Sequence, residues 1–287
     1  MIQKIKNEFL SISIKSNGAE LCSLKSLENN KEYIWQADDN YWGRHAPVLF
    51  PIVGCLKEDS YIVDDKNYKM TRHGFARDCE FELLEKQDNK LKYLLKSNEK
   101  TLDKYPYKFE LYIIYQLIDK SLSITYEVRN KGNKEIYFSI GGHPAFNCDI
   151  EKGNKYIEFE KEENLDSYIL DPKKGLIRNE KKKILKGEKE LLLSYDLFKS
   201  DALIFENIRS QYLYIKDDNK KDKIKITIED FPFLGIWTPE APFICIEPWY
   251  GVADFIDTNS KIEDKKGIQK LGIDKIFKCG YQIEICE

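Results

Sequence analysis

Several absences narrow the chemistry open to this chain. Histidine occurs three times in 287 residues, and the three stand apart, so no H-E-x-x-H pair is available for zinc. The seven cysteines (22, 55, 79, 148, 245, 279 and 286) are odd in number, scattered and never spaced C-x-x-C. That pattern excludes a zinc knuckle and a disulfide framework, and predicts free thiols in a reducing cytoplasm. No G-x-G-x-x-G or G-x-x-x-x-G-K-[ST] is present to cradle a nucleotide phosphate, and no G-x-S-x-G to raise a serine nucleophile. Met1 to Asn7 has no signal-peptide apolar region, no apolar run approaches transmembrane length, and no N-x-[ST] sequon occurs. Charge of either sign is not in excess: 46 basic against 49 acidic residues leave −3, too little to favour nucleic acid or an anionic membrane. The expectation is a cytoplasmic protein without cofactor or resident metal, and with neither nucleic acid nor membrane as a partner.

Apolar material is plentiful. At 42% hydrophobic and 13% aromatic, the composition supports a large core and excludes a disordered profile. Its dominant period is two. In Leu122-Ser123-Ile124-Thr125-Tyr126-Glu127-Val128-Arg129, apolar and polar residues alternate as on a half-buried strand. Phe109 to Leu117 is also strand-like, and Asp119-Lys120 between the two reads as a hairpin connection. Further strands are expected over Phe9 to Ile14, Leu91 to Leu95, Ile136 to Ile140, Tyr156 to Phe159, Leu203 to Phe205, Tyr212 to Ile215, Ile224 to Ile228 and Tyr281 to Ile285. Asn17-Gly18, Lys131-Gly132-Asn133 and Asp217-Asp218-Asn219 supply turns. Only Ser194 to Lys199 and Gly272 to Phe277 suggest short helical turns, and the charged stretch Asn179 to Glu190 reads as a solvated loop or edge. No repeat or linker divides the chain. The prediction is one all-β domain over residues 1–287, a large antiparallel β-sandwich with few short helices.

Two segments share an unusual construction. In Ser139-Ile140-Gly141-Gly142-His143-Pro144-Ala145-Phe146, two glycines remove side-chain bulk before the histidine, and the proline holds it extended. An imidazole titrates near neutral pH, so His143 is a candidate proton donor, although a packed histidine beside a strand would look the same. In Phe243-Ile244-Cys245-Ile246-Glu247-Pro248-Trp249, an apolar run ends at a carboxylate that again precedes a proline. Desolvation beside Trp249 raises a carboxyl pKa and makes Glu247 a better base near neutrality; the alternative is a glutamate pointing into solvent. His143 and Glu247 form a candidate acid/base pair, although spacing alone does not bring them together.

The other two histidines fall in Trp42-Gly43-Arg44-His45-Ala46-Pro47 and Arg72-His73-Gly74-Phe75-Ala76-Arg77. His73 is a candidate ligand for a hydroxyl. Arg44 and Arg77 can bind hydroxyls or, if both face the site, a phosphate; isolated surface arginines are the plainer alternative. Nothing around His45 points to a site, and it reads as packed. Trp237 and Trp249 flank the Glu247 strand closely. Such rings line sugar pockets and serve as core equally often.

Together these segments resemble the aldose 1-epimerase (galactose mutarotase-like) family, in particular its LacX-type branch. The matching elements are Asn17-Gly18-Ala19-Glu20-Leu21, Tyr33-Ile34-Trp35, Pro47 to Gly54, His73-Gly74-Phe75-Ala76-Arg77, Gly142-His143-Pro144-Ala145-Phe146, Asp201-Ala202-Leu203-Ile204-Phe205 and Cys245-Ile246-Glu247-Pro248-Trp249. The resemblance implies a β-supersandwich with a cleft on one sheet. It implies Glu247 as general base toward the anomeric hydroxyl and His143 as general acid toward the ring oxygen. His73 and Asp201 would bind sugar oxygens. Arg44 and Arg77 resemble arginines that lie near the phosphate in hexose-6-phosphate epimerases. One departure concerns specificity: LacX-type sequences tend to have arginine where this chain has Cys55. The expected partner is a small-molecule sugar or sugar phosphate, and the expected assembly a monomer or homodimer. The expected reaction is anomer interconversion. Two rivals are a non-catalytic sugar-binding protein, and a glycoside hydrolase or lyase pairing Glu247 with Asp201 or Asp254.

Overall fold

The computed structural model describes residues 1–218 and 223–286. Period two becomes antiparallel sheet. A nine-stranded sheet runs in the spatial order Glu188–Leu192, Lys155–Glu163, Tyr212–Asp217, Lys223–Thr227, Ile276–Cys286, Ser121–Asn130, Phe109–Ile118, Lys90–Lys96 and Glu82–Lys86. Ser121 pairs with Ile118, so Asp119-Lys120 is the two-residue hairpin turn expected, with Asp119 in the left-handed region at φ 49°. A six-stranded sheet runs Leu203–Glu206, Phe233–Trp237, Phe243–Tyr250, Ile140–Gly142 and Val48–Leu49, and Ala145–Asn147 also pairs with Phe243–Tyr250. Ile2–Lys6, Leu10–Lys15 and Glu20–Ser26 form a three-stranded sheet.

One apolar cluster joins the two large sheets. Ile113, Ile124 and Ile283 enter it from the nine-stranded sheet, and Phe146, Leu234, Ile236, Ile244 and Ile246 from the six-stranded one. Each such side chain contributes roughly 1.5–3 kcal/mol on burial. On Phe243–Tyr250 the alternation sorts function from core. Ile244 and Ile246 face the core, while Phe243, Cys245, Glu247 and Trp249 face the opposite side. That side is covered as well, which is why the strand reads as apolar nearly throughout.

Three local expectations change. Glu247 does not end its strand, which continues through Pro248 to Tyr250. Ile246 N–H donates to the Pro144 carbonyl at 3.2 Å, and two residues on, Pro248 lacks a donor on that same edge, where the partner strand is interrupted. Gly272 to Phe277 is a turn closed by Lys275 N–H to the Gly272 carbonyl, leading into the strand Ile276–Cys286; no helix forms. The run Ile136 to Ile140 divides at Ser139 into Ile136–Phe138 and Ile140–Gly142, which join different sheets. Elsewhere Tyr195–Phe198 is the short helical turn expected. The charged stretch spans Ile177–Lys183, a hairpin partner of Asp166–Leu170, and Glu188–Leu192, the outer edge of the large sheet. Asn219 of the expected turn lies outside the described residues. Cys22, Cys55, Cys79, Cys148, Cys245 and Cys279 are free thiols. Among the described residues, no helix is long and apolar enough to cross a membrane.

Candidate active site

The two pre-proline residues meet because the strand register brings them together. Gly141 pairs with Trp249 and Ala145 with Cys245, so the residues midway, His143 and Glu247, face each other across the gap. His143 Nε2 lies 3.3 Å from Glu247 Oε2. The glycines before His143 are required by contact: a Cβ on Gly141 would stand 2.5 Å from Trp249 Cδ1, and one on Gly142 2.7 Å from the Tyr281 hydroxyl. The His143 N–H donates to the Pro47 carbonyl at 3.1 Å. Its ring stacks on Trp42 at 4.8 Å and meets Trp237 and His73 edge-on. Trp42 is fixed in turn by the Trp35 indole N–H, which donates to its carbonyl at 2.9 Å.

This pair forms the floor of a cleft of about 680 Å³, counting space open to solvent. His73, Arg77, Asp201, Trp237 and Trp249 line it, as do two residues not singled out in the sequence, Arg72 and Trp42. Arg44 is not on its wall. That guanidinium is paired at 2.7 Å with Asp78, and acts on the cleft only through its charge. Arg72 lines the cleft in its stead. Its Nε donates to Cys55 Sγ at 2.9 Å, and its Nη1 lies 3.5 Å from Asp201 Oδ2. Gly175, at φ 64°, closes over this group: a Cβ there would stand 2.4 Å from Arg72 Nη2 and 2.9 Å from Cys55 Sγ. Arg77 donates from Nη2 to the Arg72 carbonyl at 2.7 Å. His45 lies away from the cleft, where Lys15 Nζ is 3.2 Å from its Nδ1 and the Glu20 carboxylate takes its backbone N–H. Asp254 does not face the cleft either. It is buried in an ion pair with Lys265 at 2.8 Å, which removes it as a carboxylate partner for Glu247.

Burial sets the charge states. It pushes the Glu247 carboxyl well above the usual range, and the charge of Asp201 adds to this, while Arg72 opposes it. His143 moves the other way, down to about 3, through burial and then the charge of Arg77. The shifts run in opposite directions, and both favour the neutral forms, a carboxylic acid beside an unprotonated imidazole. His73 is also driven well below its ordinary value by burial and the neighbouring cations. Gly54 N–H donates to His73 Nδ1 at 3.1 Å, so the neutral ring carries its proton on Nε2 as a donor. Four buried polar atoms of the cleft, His143 Nδ1, Glu247 Oε2, Trp249 Nε1 and Arg77 Nε, find no hydrogen-bond partner among the described residues. A polyol offers both donors and acceptors to such atoms, and the tryptophan faces suit the apolar side of a sugar ring.

Residues 1–268 match the family model described as aldose 1-epimerase. The plasmid-borne protein LacX of Lactococcus lactis is 34% identical over 298 aligned positions, covering 99% of both chains. A galactose mutarotase related enzyme from Lactobacillus acidophilus superposes with a TM-score of 0.94 at 35% identity, over 100% of this chain and 98% of that one. A galactose mutarotase-like protein from Lactobacillus casei gives the same TM-score at 31% identity, over 99% and 100%. The expected large antiparallel β-architecture is thus that of the galactose mutarotase-like fold.

Proposed function

This chain belongs to the aldose 1-epimerase family, and from that premise we propose that it interconverts the α and β anomers of a hexose by opening and closing the pyranose ring. The observation that carries this is the side-by-side placement of His143 and Glu247, 3.3 Å apart on the floor of the cleft. The anomeric hydroxyl and the ring oxygen are both bonded to C1, so the base for one and the acid for the other must also be neighbours. Moving the shared proton from Glu247 to His143 creates a carboxylate base and an imidazolium acid together. Glu247 then takes the proton of the anomeric hydroxyl while His143 gives one to the ring oxygen; C1=O1 forms as the C1–O5 bond breaks. Rotation about C1–C2 and closure on the other face, with both proton transfers reversed, gives the second anomer. His73 Nε2–H, Asp201, Arg72 and Arg77 hold the remaining oxygens. The two arginines also suit a phosphate on the distal end of the sugar.

NMR exchange measurements across a panel of hexoses and hexose 6-phosphates test this directly. The expected result is saturable acceleration over buffer for at least one sugar, falling by roughly two to four orders of magnitude in both Glu247→Gln and His143→Asn. Sugar binding without acceleration would instead make this a non-catalytic carbohydrate-binding protein. Full activity in both variants would end the acid/base account.

A further inference from the structure

One buried nucleophile beside the acid/base pair takes no part in proton transfer. Cys245 precedes Glu247 by two residues and so shares its face of the strand. Its cross-strand neighbours are Trp237 on one side and, on the other, Ala145, whose single methyl group takes little of the space around the thiol. As a result, a ring nitrogen of His143, Cys245 Sγ and a Glu247 carboxylate oxygen all lie within 4.8 Å of one another, in three buried residues. Of these donor atoms, Glu247 Oε2 has no hydrogen-bond partner among the described residues.

We propose that His143, Cys245 and Glu247 form a binding site for a thiophilic divalent cation of the zinc class, and that occupation of this site inhibits the protein. Nitrogen, thiolate and carboxylate are a donor set that zinc accepts, and three protein ligands leave a fourth, tetrahedral position directed at the cleft. Coordination deprotonates a thiol outright, so the ion meets two negative charges and neutralises both in a low-dielectric pocket. Bonds of about 2.0–2.3 Å draw the donors to roughly 3.5 Å from one another. His143 Nε2 and Glu247 Oε2, at 3.3 Å, are already that close. Only the sulfur must move in. An ion held there takes the lone pairs that proton transfer needs. The inhibition rests on the acid/base reading of His143 and Glu247; the binding does not.

Cobalt(II) titrated into the purified chain is the probe, because a thiolate–cobalt bond absorbs by charge transfer whether or not the protein is active. Absorption is expected to saturate at a single cobalt per chain and to be displaced by zinc. It is expected to vanish in Cys245→Ala and to persist in Cys55→Ala, which removes the thiol that lines the cleft. Zinc should inhibit anomer exchange reversibly to EDTA, and Cys245→Ala should need about tenfold more zinc or above for the same inhibition. If Cys245→Ala does not fold, as judged by circular dichroism, Cys245→Ser carries the same test. No charge-transfer band in the parent chain, or an undiminished band without Cys245, overturns the site. A Cys245-dependent band without any effect on exchange overturns the inhibitory role alone.

Discussion

At the scale of single residues, the proposed chemistry rests on one carboxyl–imidazole pair, His143 and Glu247, 3.3 Å apart. His143 is driven down to about 3 by burial, so it stays neutral where an ordinary histidine would be half protonated. Anomer exchange, corrected for buffer, should therefore show no fall as pH drops through 6.5. Its acid limb should lie far lower, where the pair takes up a second proton. Stability carries the matching sign. Between 6.5 and about 3 the unfolded chain binds a proton at His143 that the folded chain refuses, so this group's contribution to stability is lost as pH falls through that window. Thermal melts should show a shallower acid decline in His143→Asn. Of the site, His143 and Glu247 were legible because a proline after each residue marks a special backbone position. Arg72 was not, since neighbours on an extended chain point to opposite sides and His73 was the better candidate. His73 breaks that rule with φ 67°, as Asp201 does with φ 77°; such conformations cost about 1–3 kcal/mol and collect at functional sites. Arg44 was misjudged for a simpler reason: its partner Asp78 lies thirty-four positions away, and nothing in the sequence joins them.

At the scale of elements, the site depends on one interrupted strand pairing. Ile140–Gly142 and Ala145–Asn147 hold Phe243–Tyr250 on either side of the gap, and Gly141 lets Trp249 pack against the backbone there. Gly141→Ala places its Cβ 2.5 Å from Trp249 Cδ1 and 2.8 Å from the Pro248 carbonyl oxygen, which is backbone and cannot step aside. The expected cost is about 1–3 kcal/mol in a denaturation curve, with a fall in exchange rate as His143 shifts from Glu247. A stability loss without a change in exchange would mean that the strands absorb the methyl elsewhere. Individual strands were readable because alternation is local. The division at Ser139 and the passage of a strand through Pro248 were not, because each depends on a partner strand far along the chain.

At the scale of the molecule, segments distant in sequence are tied behind the cleft by one buried ion pair. Asp254 meets Lys265 at 2.8 Å and accepts the Lys57 N–H at 3.0 Å, while its own N–H donates to the Cys55 carbonyl at 2.9 Å. Its carbonyl takes the Ile177 N–H at 2.8 Å. Lys265→Met leaves the carboxylate buried without its cation and should cost about 3–5 kcal/mol in urea unfolding. Replacing both partners with apolar residues should recover much of that loss, which separates the uncompensated charge from a general loss of packing. None of this was visible in the sequence, where Asp254 stood beside Asp201 as a possible carboxylate partner for Glu247.

The alternation along Phe243–Tyr250 has one further consequence, for quality control. A slip of one residue in its pairing would turn Glu247 into the apolar core and Ile246 into the cleft. The misaligned chain would thus bury a lone carboxylate and lose its base in the same step. With Glu247 as the proposed base, anomer exchange would report on correct strand pairing, and a population of register-shifted chains would be both unstable and silent.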